Sequence, residues 1–127
     1  MLIDDSPEER NLFGEILDLI DESINYIPFA TAQTALAYLE NSTNQPDYIF
    51  LDVNMPGMDG LECLREIKML KKAKHVPVIM YSTAHPSVYM QSAFALGASQ
   101  CLAKKVSILE SVDEISAIIQ HLEKEKH

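Results

Sequence analysis

Tyr48-Ile49-Phe50-Leu51-Asp52-Val53-Asn54-Met55-Pro56-Gly57-Met58-Asp59-Gly60 is the stretch on which the fold turns. Its first four residues are apolar or aromatic with no polar alternation, the pattern of a central strand covered on both faces. The run stops at a carboxylate. Val53 to Gly60 then carries proline, two glycines and asparagine, which makes it a turn-rich loop.

Working outward, the same motif recurs three times. Met1-Leu2-Ile3 runs into Asp4-Asp5, Val78-Ile79-Met80-Tyr81 into Ser82, and Cys101-Leu102-Ala103 into Lys104. Helical signals lie between these runs. Ser6-Pro7-Glu8-Glu9 is a capping box with proline at the first helical position, and Leu12, Phe13, Ile16, Leu17 and Ile20 form the stripe behind it. Tyr26 to Ala30 reads as a short strand. Pro28 removes a ladder donor there and sends the strand to a sheet edge.

Ala32 to Leu39 is a helix of small residues, ended by the polar stretch Glu40 to Pro46. Leu61, Leu64, Ile67 and Leu70 mark a third helix that ends in the lysine run Lys71, Lys72 and Lys74. Val76 to Tyr81 is the fourth strand, Ser87 to Leu96 a fourth helix stopped by Gly97, and Cys101 to Ala103 the fifth strand. A second capping box, Ser107-Ile108-Leu109-Glu110, opens the last helix, with Leu109, Val112, Ile115, Ile118 and Leu122 as its stripe. The charged tail Glu123 to His127 frays. Tyr89, Met90 and Phe94 read as core, and His75, His121 and His127 as exposed.

Five strands alternating with five helices imply right-handed crossovers and one doubly wound α/β domain over residues 1–127, a parallel sheet with helices on both faces. Proline in the second strand favours the order 2-1-3-4-5. The first strand is short, with only Met1 to Ile3 before the acids, which raises the expectation of a truncated start. In such a sheet all strands point one way, so the polar residues that follow them gather along one edge, where open α/β folds bind ligands.

Composition narrows the function. The chain has 127 residues, 47% of them apolar, with 19 acidic and 10 basic side chains for a net charge of −9. Phosphate-backbone recognition needs a basic face, so direct nucleic-acid binding is disfavoured. No apolar run reaches membrane-spanning length and no secretory leader is visible, which makes a cytoplasmic address the expectation. Cys63 and Cys101 lack metal spacing and read as two small buried thiols of a reducing compartment.

The edge itself carries chemistry. Asp4, Asp5 and Asp52 bring three negative charges together, and Lys104 returns one. Two like charges about 4 Å apart repel by roughly 4 kcal/mol at an effective dielectric near 20. Such a pocket raises carboxylate pKa values or recruits a cation, and an oxygen-only donor set favours Mg²⁺ over Zn²⁺. Asp52, following the central strand, can act as a nucleophile towards a phosphoryl donor. The metal and Lys104 would neutralise the transferred group, and the Ser82 hydroxyl could donate to it after arrival.

Asp4-Asp5, then Asp52-Val53-Asn54-Met55-Pro56-Gly57-Met58-Asp59-Gly60, then Val78-Ile79-Met80-Tyr81-Ser82-Thr83-Ala84, then Gly97-Ala98-Ser99 leading to Lys104 resemble the receiver domain of two-component response regulators. The likeness spans nearly the whole chain in order and spacing. It implies a chemotaxis-receiver-like, flavodoxin-like fold and an aspartyl-phosphate switch. By resemblance, Asp52 is the phosphoacceptor, and Asp5, Asp52 and the backbone carbonyl of Asn54 hold Mg²⁺, with Asp4 acting through water. Ser82 is then the switch hydroxyl and Lys104 the phosphate-contacting lysine. The implied partners are a sensor histidine kinase or histidine phosphotransfer protein, an unnamed downstream effector, and a second copy in a phosphorylation-dependent dimer. The expectation is a phosphoacceptor module with no output domain in this chain, rather than a multiple-turnover enzyme.

Two positions depart from the family pattern. Lys105 stands where a proline with a cis peptide bond is usual, and a cis bond to a non-proline residue costs about 3–4 kcal/mol. Cys101 stands where an inward-turning aromatic is frequent. Two rival readings follow. One is a pseudo-receiver serving only as a binding surface. The other is a haloacid-dehalogenase-like aspartate phosphatase, which needs an acid two residues after its nucleophile, where this chain has Asn54.

Overall fold

Ser6 opens the first helix as its side chain dictates: the hydroxyl accepts the Glu9 N–H at 3.3 Å, and Pro7 occupies the first turn, where a missing N–H costs nothing. A computed structural model describes residues 1–125. Its elements run β1 (Leu2–Ile3), α1 (Pro7–Ile20), β2 (Pro28–Phe29), α2 (Ala32–Asn41), β3 (Ile49–Leu51) and α3 (Gly60–Met69). They continue through β4 (Val78–Ser82), α4 (Met90–Ala95), β5 (Gln100–Ala103) and α5 (Ile108–Glu125).

All four strand pairings are parallel, and the order is β2-β1-β3-β4-β5. The expected flavodoxin-like arrangement, five strands and five helices, is therefore present. Pro28 lies on the outermost strand, as its missing donor requires.

Strand alternation sorts the core into two layers. Leu2, Phe50, Ile79 and Tyr81 point one way, onto Phe13, Ile16 and Leu17 of α1 and Ile115 and Leu122 of α5. Ile3, Ile49, Leu51, Val78 and Met80 point the other way, onto Ala35, Leu39, Cys63, Leu64 and Ile67. On the first side Phe13 meets Phe50 and Tyr81 at ring-centroid distances of 5.0 and 5.6 Å. Fully burying one such side chain contributes about 1.5–3 kcal/mol. The sheet is thus held from both faces, and only its ends are left for chemistry.

Several elements depart from the sequence reading. The segment read as one helix from Ser87 to Leu96 is a 3-10 turn, Pro86–Val88, followed by the six-residue α4. His85 starts that turn by accepting the Ser87 N–H on Nδ1 at 3.1 Å, and a break at Tyr89 separates it from α4. Gly97 ends the segment at φ +105°, in the left-handed region where a side chain is strained. Met90 and Phe94 are 43% and 48% exposed and belong to a surface, while Tyr89 alone turns inward.

Leu109 is also exposed, because α5 starts at Ile108 and its first turn overhangs the core. Lys71, Lys72 and Lys74 lie on a turn beyond α3, whose last carbonyls are closed by the Leu70 N–H bonding to Ile67. Glu123 to Glu125 are helical rather than frayed, since Leu122 anchors that turn in the core. Lys126 and His127 lie outside the described residues. Cys63 is buried as expected, whereas Cys101 is half-buried, and both are free thiols. No helix among the described residues is long and apolar enough to cross a membrane.

Candidate functional site

The C-terminal ends of β1, β3, β4 and β5 meet at one edge, and each delivers the polar residue that follows or ends it. Asp52 is held by its N–H, which donates to the Ile3 carbonyl at 3.0 Å. Lys104 is held by its N–H, which donates to the Ser82 carbonyl at 2.8 Å. Carboxylate oxygens of Asp4, Asp5 and Asp52 all lie within 4.8 Å of one another. Asp4 and Asp52 are buried and Asp5 is exposed. The edge predicted from strand order is therefore real, with the acids on one side of the molecule.

Lys104 is the counter-charge, and it is bound more specifically than its sequence position suggests. Its Nζ donates to Asp4 Oδ2 at 2.6 Å, with both side chains nearly inaccessible (8% and 1% exposed). Glu9 approaches the same ammonium at 3.7 Å, and the Tyr81 ring centroid lies 5.6 Å from it. Burial works against the Lys104 charge, but the Asp4 hydrogen bond and the charges of Asp52, Asp4 and Glu9 outweigh it and raise the pKa. Lys105, its sequence neighbour, pairs instead with Glu114 at 3.5 Å. No peptide bond among the described residues is cis, so the loop after Lys104 is trans throughout.

Asp4 is fully committed. Its Oδ1 accepts the Ser6 N–H at 3.0 Å, its Oδ2 takes Lys104, and its carbonyl accepts Arg10 Nη1 at 2.9 Å. Asp5 and Asp52 supply the other two carboxylates of the cluster. Burial raises the Asp52 pKa, Lys104 partly offsets the rise, Asp4 adds to it, the Asn54 N–H opposes it, and Asp5 adds a further push. Hard oxygen donors with one buried and one exposed carboxylate fit Mg²⁺, which keeps several waters, better than a closed all-protein cage.

The loop that carries Asp52 depends on Gly60. A Cβ at Gly60 would sit 2.1 Å from the Asp52 carbonyl oxygen and 2.7 Å from Val53 Cα. The Gly60 N–H donates to the Val53 carbonyl at 2.8 Å, and Asp59 caps α3 by accepting the Glu62 N–H at 2.9 Å. The first turn of α3 thus lies directly against the acceptor loop, an approach only glycine permits.

Ser82 is fully buried at the end of β4, and its Oγ accepts the Ala84 N–H at 3.3 Å, a long bond. Asn54 is exposed, and its N–H reaches the Asp52 carboxylate. Three contributors were not read as site residues from the sequence: Glu9, Arg10 and Tyr81. Glu9 and Arg10 were hidden because a capping box explains an acid at that position without any site. Tyr89, 6% exposed, has a hydroxyl with no hydrogen-bond partner among the described residues. An unmet buried hydroxyl costs on the order of 1–3 kcal/mol.

Comparison with known proteins agrees with this geometry. The family model of the response regulator receiver domain matches residues 1–116. The CpxR homolog of Haemophilus influenzae, a transcriptional regulatory protein, is 30% identical over 94% of this chain and 49% of its own length. Response regulator Rcp1 of Synechocystis is 26% identical over 93% of this chain and 84% of its length. The chain spans about half or less of the length of several curated relatives it matches, 49%, 31% and 48% for three of them.

Two solved structures superimpose closely. The phosphorylated cyanobacterial phytochrome response regulator RcpA aligns with a TM-score of 0.82 at 25% identity, covering 92% of this chain and 87% of its own. Chemotaxis protein CheY4 of Vibrio cholerae aligns with a TM-score of 0.77 at 27% identity, covering 91% of this chain and 93% of its own.

Proposed function

This chain belongs to the response regulator receiver domain family, and from that membership we propose that it is a phosphoacceptor switch charged on Asp52. The observation that carries the reading is the buried Asp52 carboxylate within 4.8 Å of Asp4 and Asp5, beside the Lys104 ammonium that Asp4 holds at 2.6 Å. Asp5, Asp52 and the Asn54 carbonyl would hold Mg²⁺ directly, with Asp4 acting through water because Ser6 and Lys104 already occupy its oxygens. When bound, the ion supplies charge neutralisation for phosphoryl transfer.

The chain's own residues do the rest. A carboxylate oxygen of Asp52 attacks the phosphorus of the donor, forming the O–P bond of an acyl phosphate as the donor's P–N or P–O bond breaks. A phosphohistidine donor leaves as its imidazole, and acetyl phosphate leaves as acetate. Lys104, kept charged by its three carboxylates, faces the incoming phosphoryl oxygens. The Ser82 hydroxyl, released from its long bond to Ala84, turns to donate to one of them.

A sensor histidine kinase or histidine phosphotransfer protein is the proposed donor, and a downstream effector or a second copy the proposed reader. Val88, Met90 and Phe94 around α4, with Val106, Ile108 and Leu109 at the entry to α5, supply exposed apolar side chains for such a reader. The test is incubation with acetyl phosphate and Mg²⁺. One acid-stable, base-labile phosphate per chain is expected, absent from Asp52→Asn. An Asp52→Asn variant that labels as well as the parent sinks the assignment.

A further inference from the structure

Tyr89 is an anomaly in its segment. Its neighbours Val88 and Met90 are 77% and 43% exposed, yet Tyr89 is 6% exposed. Its backbone ties it to both flanks: its N–H donates to the Pro86 carbonyl at 3.1 Å, and its carbonyl accepts the Ala93 N–H at 3.0 Å. Tyr89 is therefore the inward anchor of α4, and a shift of its ring must move that helix and the apolar side chains it displays.

Tyr89 belongs to the same buried cluster as Val53, Met55 and Met80, and Ala84 and Cys101 pack against that cluster. Val53 follows Asp52 directly, and Ala84 donates its N–H to Ser82. The Tyr89 hydroxyl has no hydrogen-bond partner among the described residues. Burial, then the charges of Cys101 and Asp52, push the phenol up to about 12, which keeps it a donor throughout the neutral range.

A phosphoryl group supplies what this donor lacks. It adds about −1.5 to −2 charge and three strong acceptor oxygens beside Asp52. Ser82, once it donates to such an oxygen, gives up the Ala84 N–H and also offers a free lone pair. Donor and acceptor are then matched only in the phosphorylated protein. Resting on the phosphoacceptor reading above, we propose that the buried Tyr89 hydroxyl is a hydrogen-bond donor reserved for the phosphorylated site, making Tyr89 the positioning residue that couples α4 to the phosphoryl group on Asp52. The hydroxyl costs the unmodified protein a satisfied bond and returns it on modification, so α4 is drawn towards the site by the switch.

The experiment uses the full chain and Tyr89→Phe, which removes the hydroxyl and keeps the ring. Each is treated with acetyl phosphate and Mg²⁺, and the backbone amide shifts of Met90–Ala95, the phosphate half-life and the untreated thermal midpoint are read. Tyr89→Phe is expected to label at the parent's initial rate and to melt at the same temperature or higher. Its α4 shift changes should fall below half the parent's, and its phosphate half-life should shorten at least threefold. Full α4 response with an unchanged half-life overturns the proposal, as does a lower untreated midpoint with a parent-like response, which marks a purely structural hydroxyl. In the unmutated chain, 3-fluorotyrosine gives a second readout: the Tyr89 fluorine resonance must move on phosphorylation, and an unmoved resonance overturns the idea. Failure of the parent to label, or labelling of Asp52→Asn, is seen without any Tyr89 variant. Either defeats the phosphoacceptor reading, and this inference with it.

Discussion

Replacing Lys104 by methionine keeps the length of the side chain and removes its charge. Asp4, with 1% exposure, then loses the partner at 2.6 Å. Breaking a buried pair by removing one member costs about 3–5 kcal/mol, because the remaining charge stays buried. The acids that Lys104 faces also repel one another: two unit charges 4.8 Å apart at an effective dielectric near 20 repel by about 3.5 kcal/mol, and Lys104 is the ammonium that offsets it. Against a total stability of about 5–15 kcal/mol, the loss is large.

The sign with pH follows from Asp52. Its folded pKa lies above the ordinary carboxylate value of 3.8, so this group holds more proton in the folded chain than in the unfolded one in that window. Stability therefore rises as pH falls from neutrality through the raised value towards 3.8. Lys104 has a raised pKa, so its own contribution is complete at neutral pH and lost only above 10.5, as pH climbs through the raised value. Urea denaturation of Lys104→Met should show a deficit of about 3–5 kcal/mol at pH 7 that shrinks in mild acid, with Asp52→Asn in the same chain or with millimolar Mg²⁺. A deficit below about 1 kcal/mol at pH 7, or one indifferent to all three, would refute the electrostatic account of the site.

Gly60→Ala drives a methyl against the Asp52 carbonyl, so a loss of about 1–3 kcal/mol and a slower acetyl phosphate reaction are expected together; a variant matching the parent in both contradicts the packing argument. Asp52→Asn alone should be more stable than the parent at pH 7, and the gain should fade on acidification as the parent's carboxyl takes up its proton. A pH-independent gain, read by urea midpoints, speaks against burial as the cause. Asp5→Asn should weaken Mg²⁺ binding by at least roughly tenfold, about 1.4 kcal/mol, with little loss of stability, since Asp5 is exposed. Asp4→Asn should do the reverse, chiefly destabilising the fold by leaving Lys104 without its partner; titration calorimetry beside denaturation separates the two.

Much of this was legible in residue order because strand direction and strand ends are local facts. The apolar runs before Asp4, Asp52, Ser82 and Lys104 carried the edge, and Pro28 carried the strand order. What escaped depended on facing neighbours. Leu109 and Phe94 have the spacing of buried residues, but a short helix and an overhanging first turn leave them in water. Glu9 looked like half of a cap, and only the return of β5 beside β4 brings Lys104 to it. The single helix expected after β4 failed at Tyr89, where one side chain turning inward outweighs helical propensity across the segment.

The Asp4–Lys104 bond joins positions one hundred residues apart. Closing so long a span is slow and entropically costly, and it waits on the docking of β5. During synthesis, the acids emerge from the ribosome long before their lysine does. The proposed phosphoacceptor site is therefore complete only once β5 has docked. A half-made chain presents the carboxylates without their cation.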